Sequence, residues 1–469
     1  MASAEHGKKL RILLIPFFAT SHIVPYTDFA VRLAATSPDA VEPTMAVTPA
    51  NVAVVRAALE RHGASRASSA VNIATYPFPD VEGLPAGVEN LTTAAGDAWR
   101  IDAVALDEAL TRPAQEALIR ELSPDVVFSD VHFFWNSLVA GTLGVPCVTF
   151  AVIGPFSSLA MRLLIGTTYG DSGCEEVIVP GLPGPEIRIP RTELPEFLRC
   201  QQRQDEFSQC GPAEDRSFGT VFNTFLDMEQ QYCEPFARHG YAKRVYLVGP
   251  VSLPLPPAGE TAGESSCITW LGSMPRCSVV YVCLDTYASI SDDQLRELAF
   301  GLEASGKPFL WVLRADGWAP PAGWAKSVVK RGMLVRGWAP QTDILNHPSV
   351  GAFLTHCGSS SVLEAAAAGV PMLTWPMVFD QFIVERLITD VLKVGQRVGS
   401  ERRSTRGDEK VTVPVPVVAR AVARFLEPGG TGEAARIRAR DLAVKAHAAV
   451  APGGSSHGDL RRLINDFIE

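Results

Sequence analysis

The stretch Trp338–Gln381, which reads WAPQTDILNHPSVGAFLTHCGSSSVLEAAAAGVPMLTWPMVFDQ, carries the pattern that decides the fold. Its apolar run Val350–Thr355 has the length of a buried strand, and His356-Cys-Gly follows as a tight turn. Ser359 then opens a run of strong helix formers that Gly369 ends. The pattern predicts a strand, a turn and a helix. Because the first turn of a helix has unpaired N–H groups and the positive end of the dipole, such a unit suits a phosphate.

A carboxylate and an amide, Asp380 and Gln381, come after the next short apolar run, Pro371 to Pro376. The carboxyl ends of parallel strands meet at one edge of a sheet, so these side chains are expected near the start of the same helix. Many α/β units contain a strand, a glycine and a helix with serines at its start. From these residues alone, phosphate binding and an ordinary packing unit both remain open.

The whole stretch resembles the donor-binding signature of plant family 1 UDP-dependent small-molecule glycosyltransferases. The shared residues keep the family spacing without a gap: Trp338-Ala-Pro-Gln, His356-Cys-Gly, Ser361, Glu364, Gly369-Val-Pro, Trp375-Pro and Asp380-Gln381. Two positions depart from the pattern, because Ser359 and Ser360 stand where the family usually has Trp and Asn. The resemblance extends over nearly the whole chain and is thinner in the first half.

The bulk properties fit a globular protein of two domains. The chain has 469 residues, of which 47% are hydrophobic and 20% charged. A formal net charge of −9 argues against nucleic-acid binding, which needs a basic face. The nine cysteines include no CxxC pair, and neither an apolar signal core nor a membrane-length apolar run is evident. We therefore expect a monomeric cytoplasmic protein without a membrane span.

Alternating strand and helix patterns predict the α/β class, with two doubly wound parallel sheets facing each other across a cleft. The resemblance implies Rossmann-like domains in the GT-B arrangement. Residues 1–250 are expected to form an acceptor-binding domain and residues 267–450 a UDP-sugar-binding domain. The Pro/Gly/Ser-rich segment 251–266 is predicted to link them. Residues 451–469 should form a helix that, as in the family, packs back on the first domain.

His22 and Asp130 are the candidate catalytic pair. His22 lies between the first strand and the following helix, and Asp130 ends a later strand, so both belong to the same sheet edge. A neutral imidazole oriented by a carboxylate can act as a general base. Taken singly, each residue is better explained as an ordinary loop or cap residue. In the glycosyltransferases that the chain resembles, a histidine and an aspartate at matching positions form the catalytic dyad. His132 is a rival histidine with no matching family role.

The resemblance also implies roles in donor binding. It assigns uracil stacking to Trp338, reading of the base edge to the Ala339 backbone, and ribose binding to Gln341 and Glu364. The remaining donor contacts implied are Thr286, the phosphate-binding residues His356, Gly358, Ser360 and Ser361, and the sugar-binding residues Asp380 and Gln381. Asp285 replaces the family's usual glycine beside Thr286, where a carboxylate would repel the diphosphate unless it turned away.

The expected enzyme is therefore an inverting, metal-independent hexosyltransferase that uses a UDP-sugar as co-substrate and needs no cofactor. The resemblance favours UDP-glucose and a hydroxyl acceptor from plant secondary metabolism. Aromatic residues after the first and fourth strands suggest a phenolic or flavonoid acceptor, although they could equally be core packing: Phe17, Phe18, His132, Phe133, Phe134 and Trp135. Three alternatives stay open, namely another UDP-sugar because Ser359 replaces an indole, C-glycosylation, and a weakly active binding protein with the same fold.

Overall fold

A computed structural model of the chain describes residues 9–166, 176–199, 216–254, 265–284, 290–314, 317–399 and 402–468. The chain divides into two compact units. The first comprises Met1–Pro155, Glu206–Thr261 and Ala448–Glu469, and the second comprises Phe156–Asp205 and Ala262–His447. The predicted boundaries made the two domains consecutive in sequence, whereas the two units are built from interleaved segments. Residues 156–205 group with the second unit although they precede the linker.

All strands of the two large sheets are parallel. Seven strands form the first sheet in the order β3-β2-β1-β4-β5-β8-β9, and six form the second in the order β12-β11-β10-β13-β14-β15. The strands are β1 Leu10–Ile15, β2 Val41–Val47, β3 Asn72–Thr75, β4 Val126–Ser129, β5 Cys147–Ala151, β6 Glu176–Ile178, β7 Arg188–Pro190, β8 Gly219–Phe222, β9 Val245–Leu247, β10 Val279–Cys283, β11 Phe309–Leu313, β12 Gly332–Arg336, β13 Val350–Thr355, β14 Met372–Thr374 and β15 Gly395–Arg397. Strands β6 and β7 form a separate antiparallel pair.

Helices connect the parallel strands, as crossovers in such sheets require. They are α1 Thr20–Thr36, α2 Val52–Arg61, α3 Arg66–Ser69, α4 Ala98–Leu106, α5 Glu108–Leu122, α6 Trp135–Thr142, α7 Pro155–Leu164, α8 Glu196–Arg199, α9 Leu226–Arg238, α10 Ser266–Gly272, α11 Asp292–Ala304, α12 Trp324–Val328, α13 Gln341–Asn346, α14 Ser359–Ala368, α15 Gln381–Arg386, α16 Val415–Leu426, α17 Glu433–Val450 and α18 Ser455–Ile468. The predicted α/β class with doubly wound parallel sheets is confirmed.

Two local features differ from the sequence reading. The apolar pattern around residue 107 is compatible with one continuous helix, but the structure has two, α4 and α5, because the Asp107 side chain accepts hydrogen bonds from the amides of Ala109 and Leu110. An aspartate with extended backbone is a favourable N-cap, so it starts a new helix here. The short edge strand β15 was not anticipated, since Gly395–Arg397 has no apolar pattern.

Strands β1, β4 and β10 are buried almost throughout, which explains why they read as continuous apolar runs. The last helix, α18, belongs to the first unit. Its Leu460, Leu463 and Ile464 lie in the core cluster that also contains Tyr26 and Phe29 of α1. A hydrogen bond adds to this packing, since the Asp459 carboxylate of α18 accepts from the Leu247 amide of β9 at 2.8 Å.

Among the described residues, none of the helices combines the length and the apolar character needed to cross a bilayer.

Candidate active site

His22 lies in the first turn of α1, one loop after β1. Strand β1 pairs in parallel with β4, with Ile15 opposite Ser129, so the residues that follow these two strands are neighbours. The His22 Nδ1 and the Asp130 Oδ2 are 2.8 Å apart, although 108 positions separate the two residues in sequence. The sheet therefore brings together the two residues proposed from sequence as a catalytic pair.

The Asp130 carboxylate is almost fully buried, with 2% of the residue exposed. Burial alone would raise the pKa of this carboxyl, but the adjacent His22 and His132 imidazoles hold it well below its usual range. The Phe17 amide also donates to Oδ2 at 3.3 Å. The group is thus an ionised acceptor that can stabilise a positive charge on a neighbouring ring.

A second histidine shares this carboxylate. The His132 Nδ1 lies 2.7 Å from Asp130 Oδ1, and the His132 amide donates to the same oxygen at 3.3 Å. Ligand-type atoms of His22, Asp130 and His132 all lie within 4.8 Å of one another, a spacing that could also hold a metal ion. These three residues are called the base cluster below.

Aromatic residues pack tightly around the base cluster. The Phe17 ring stacks on His132 with centroids 4.2 Å apart and meets His22 edge-on at 5.1 Å. Phe18 and Trp135 are 1% exposed and lie in the packed interior, where the Trp135 indole donates to Gln115 at 2.8 Å. Of the six residues proposed for the acceptor side, His132 and Phe134 are the partly exposed ones.

In the second unit, residues 350–368 form the strand, turn and helix expected from sequence, as β13 and α14. Cys357 in the turn has a φ of 68°, a left-handed conformation that is costly for a residue with a Cβ. A Cβ at Gly358 would meet the His356 ring, with Nε2 at 2.4 Å, so a side chain there would displace the ring. Gly358 is also the N-cap, and it has no side chain to occupy the first N–H groups of α14.

The imidazole of His356, at the same turn, has a ring nitrogen that no described residue pairs with. The His356 Nδ1 is buried and has no hydrogen-bond partner within the described part of the chain. Such orphaned buried groups are rare in native proteins and are commonly satisfied by something the chain itself does not supply. Beside the exposed amides of α14, it suits a phosphate oxygen.

A hydrogen-bonded chain organises the residues proposed to bind ribose. The Gln341 amide nitrogen donates to Glu364 Oε2 at 2.7 Å and to Ser361 Oγ at 3.1 Å. The Tyr281 hydroxyl donates to the Gln341 amide oxygen at 3.1 Å. Tyr281 thereby fixes which end of the Gln341 amide faces Glu364.

The end of the stretch is held by backbone contacts. The Gln381 amide oxygen accepts from the amides of Met377 and Val378 at 2.8 and 3.1 Å, so its amide nitrogen is the end that can donate. Phe379, just before Asp380, has a φ of 51°. Trp338 is 70% exposed, which is unusual for an indole and leaves a flat face available for stacking.

Comparison with known proteins identifies the family of this chain. A family described as UDP-glucoronosyl and UDP-glucosyl transferase matches residues 266–395. UDP-glycosyltransferase 73E1 of Stevia rebaudiana is 36% identical over 98% of this chain and 97% of its own length. This chain belongs to the plant UDP-glycosyltransferase family.

Other members of the family support the same assignment. A scopoletin glucosyltransferase of Nicotiana tabacum is 33% identical over 98% of this chain and 98% of its own length. The crystal structure of Glycyrrhiza uralensis UGT73P12, complexed with glycyrrhetinic acid 3-O-monoglucuronide, superposes with a TM-score of 0.85 at 30% identity, over 98% of this chain and 96% of that one. The fold is that of GT-B transferases, and the protein is a UDP-glycosyltransferase.

Within this glycosyltransferase, most residues proposed from sequence fall into two groups, one in each unit. The first-unit group is the base cluster with Phe17, and the second-unit group is the donor-binding stretch, defined as Trp338–Gln381. Thr286 and its neighbour Asp285 lie outside the described residues. Sequence reasoning missed Tyr281, because a tyrosine in a buried strand reads as core, and only its distance to Gln341 shows another role.

A buried ion-pair network was also missed. Glu385 is 0% exposed, and it pairs with Arg386 at 2.7 Å and with Arg403 at 2.6 Å. Both arginines also contact Glu193, at 2.5 and 2.8 Å. Burial alone would lower the pKa of Arg403, but its hydrogen bonds to Glu385 and its interaction with Glu193 raise it. The network fixes α15, the helix that begins at Gln381.

Proposed function

We propose that this glycosyltransferase moves glucose from UDP-glucose to a hydroxyl group of a small phenolic acceptor, with inversion at the anomeric carbon. The observation that carries the proposal is the 2.8 Å contact between His22 Nδ1 and the buried carboxylate of Asp130. A relative that is named a scopoletin glucosyltransferase supports a phenolic acceptor and a glucosyl donor.

On the acceptor side, His22 is the proposed general base. Because the Asp130 carboxylate can only accept a hydrogen bond, His22 Nδ1 must carry a hydrogen, and the neutral ring has its lone pair on Nε2. That nitrogen takes the proton of the acceptor hydroxyl as the oxygen attacks the anomeric carbon. Asp130 then stabilises the imidazolium. The aromatic rings of Phe17 and Phe134 would border a flat acceptor.

On the donor side, the proposed contacts stabilise the leaving UDP. The first N–H groups of α14, the His356 ring and the hydroxyls of Ser360 and Ser361 would meet the diphosphate, whose negative charge grows as the glycosidic bond breaks. Glu364 and Gln341 would hold the ribose, and Trp338 would stack on uracil. These groups supply the charge stabilisation that a metal ion provides elsewhere, so the proposed reaction uses no metal or other cofactor.

The direct test is His22→Ala. Loss of a general base should lower kcat/KM by roughly 10²–10⁴-fold while UDP binding, measured by calorimetry, stays the same. The wild-type kcat/KM should also fall at acid pH, since the base must be neutral to take a proton. Asp130 would not produce that fall, because its pKa lies below its usual range. Full activity in His22→Ala would refute the assignment.

Ser359 supports a second candidate, the same reaction with a broader choice of UDP-sugar. The family usually has a tryptophan at this position, and a serine removes that packing face beside the sugar. Ser359→Trp should therefore narrow the donor range toward UDP-glucose in a mass-spectrometric screen of UDP-sugars. An identical donor profile in wild type and variant would remove this candidate, while leaving transfer from UDP-glucose untouched.

A further inference from the structure

Asp130 offers the same arrangement to both histidines of the base cluster. Oxygen Oδ2 contacts His22 Nδ1 at 2.8 Å, and oxygen Oδ1 contacts His132 Nδ1 at 2.7 Å. An ionised carboxylate has no proton to give, so both Nδ1 atoms must be donors. In its neutral form each ring then has an accepting lone pair on Nε2. Two imidazoles in the tautomer of a general base thus share one counter-ion.

Neither ring is sequestered from a substrate. The His132 side chain is 31% exposed and that of His22 is 17% exposed. Within the described ranges, neither Nε2 has a hydrogen-bond partner. The ring centroids are 5.4 Å apart with planes at 71°, so a hydroxyl-bearing ligand that contacts one ring can reach the other. Both bases are therefore available at the same surface.

The orientation of His132 is as well fixed as that of His22. Phe17 stacks on the His132 ring at 4.2 Å with planes 22° apart, and it meets His22 edge-on. The Phe17 amide N–H also donates a hydrogen bond to Asp130, so the residue that stacks on His132 is itself fixed to the carboxylate. A base held by both a stack and a charged hydrogen bond is preorganised for proton transfer.

We propose that His132 is a second general base of this enzyme, and that the choice between His22 and His132 decides which hydroxyl of a dihydroxy acceptor is glycosylated. The inference rests on the proposed function. In the second mode, the acceptor proton passes to His132 Nε2, the acceptor oxygen bonds to the anomeric carbon, and UDP leaves with the electrons of the broken bond. The imidazolium pairs with Asp130 and later releases its proton to water.

The test uses UDP-glucose with two coumarins, scopoletin, which has one phenolic hydroxyl, and a coumarin with two adjacent hydroxyls. The variants are His22→Ala, His132→Phe, His132→Gln and the double variant His22→Ala/His132→Phe. Phenylalanine keeps the ring stack on Phe17 but cannot take a proton. Glutamine keeps an N–H donor for Asp130 but is not a base, so it separates catalysis from positioning.

With the dihydroxy acceptor, His132→Phe and His132→Gln should both shift the ratio of the two monoglucosides toward one isomer, by about tenfold or more if a general base is lost from one mode. His22→Ala should shift it toward the other isomer. With either acceptor, His22→Ala should retain at least about tenfold more activity than the double variant, on the same basis.

His62→Phe is a matched control, because His62 makes a similar 2.8 Å contact with a buried aspartate, Asp28, away from the base cluster. It should leave the isomer ratio unchanged. UDP affinity of each variant, measured by calorimetry, verifies that the second unit is folded, and circular dichroism verifies the whole chain.

Two results would overturn the inference without touching His22. One is equal activity of His22→Ala and the double variant, and the other is a wild-type isomer ratio in His132→Gln, which would make His132 a positioning residue. If instead the double variant kept wild-type activity, the proposed base His22 would be refuted as well. The two failures are therefore distinguishable.

Discussion

The base cluster and the donor-binding stretch have different proposed tasks, proton transfer and nucleotide binding, and they are built from different chemical groups. The base cluster consists of one buried carboxylate and two imidazoles, joined across 108 positions of sequence. The donor-binding stretch is contiguous and presents helix amides, hydroxyls, an indole and amide groups, and its Glu364 carboxylate accepts a hydrogen bond from the neutral side chain of Gln341. Proton transfer needs titratable groups whose charge states are set by burial, whereas nucleotide binding needs fixed hydrogen-bond geometry.

The difference extends to how each region is supported. The carboxylate of the base cluster is stabilised by the groups that are proposed to react. The second unit also contains an ion-pair network of Glu193, Glu385, Arg386 and Arg403, none of which lies within the donor-binding stretch. Each arginine there contacts both glutamates. The charges proposed to react and the charges of the ion-pair network therefore belong to different units.

Asp130→Asn should have the largest effect, because it removes the counter-ion of both rings. We expect kcat/KM to fall by up to about 10⁴-fold, more than for either histidine variant, since an amide can also impose the wrong tautomer. UDP affinity, measured by calorimetry, should stay unchanged. A variant that bound UDP much more weakly would break the separation between proton chemistry and nucleotide binding.

Glu385→Ala should destabilise the second unit strongly. Removing the shared glutamate leaves the buried Arg386 and the partly buried Arg403 with incomplete pairing, and breaking a buried pair typically costs about 3–5 kcal/mol. The midpoint of urea unfolding, followed by tryptophan fluorescence, should drop accordingly. Glu196→Ala is the control, because its pair with Arg406 is exposed and should leave the midpoint in place. Equal midpoints for the two variants would contradict the structural role of the network.

Tyr281→Phe should have a smaller effect that is confined to donor binding. The hydroxyl that orients Gln341 contributes one neutral hydrogen bond, worth about 0.5–1.5 kcal/mol, so KM for UDP-glucose should rise about two- to tenfold. Because Gln341 and Glu364 are proposed to hold the ribose and not the reacting diphosphate, kcat should change little. Tyr246→Phe removes a buried hydroxyl bond to Asp466 in the first unit and should leave that KM alone. A loss of kcat in Tyr281→Phe would contradict its positioning role.

Removal of metal ions should have no effect. If α14 and its neighbouring hydroxyls stabilise the leaving UDP, dialysis against EDTA should leave the initial rate unchanged at saturating UDP-glucose. A rate that fell with EDTA and returned with a divalent ion would instead indicate that the base cluster holds a metal, since its ligand atoms have suitable spacing.

Sequence reasoning predicted the donor-binding stretch well as local structure. The run Val350–Thr355 forms β13 as expected, and the helix begins at Ser359 and ends before Gly369. Apolar length, glycine turns and cap residues act within a few positions, so they can be read directly from the chain. The same local rules placed His22 and Asp130 at one sheet edge, because both follow parallel strands.

By itself, the sequence determined the α/β class, the turn at His356–Gly358 and the neighbourhood of His22 and Asp130. Only the tertiary structure decided that His132 binds the second oxygen of Asp130, that Tyr281 orients Gln341, and that Glu193 pairs with arginines beyond position 385. These contacts depend on strand register, side-chain rotamers and the grouping of residues 156–205 with the second unit. None of these produces a periodic pattern in the sequence. A histidine, a core tyrosine and a scattered set of charges look ordinary until packing brings their partners within hydrogen-bond distance.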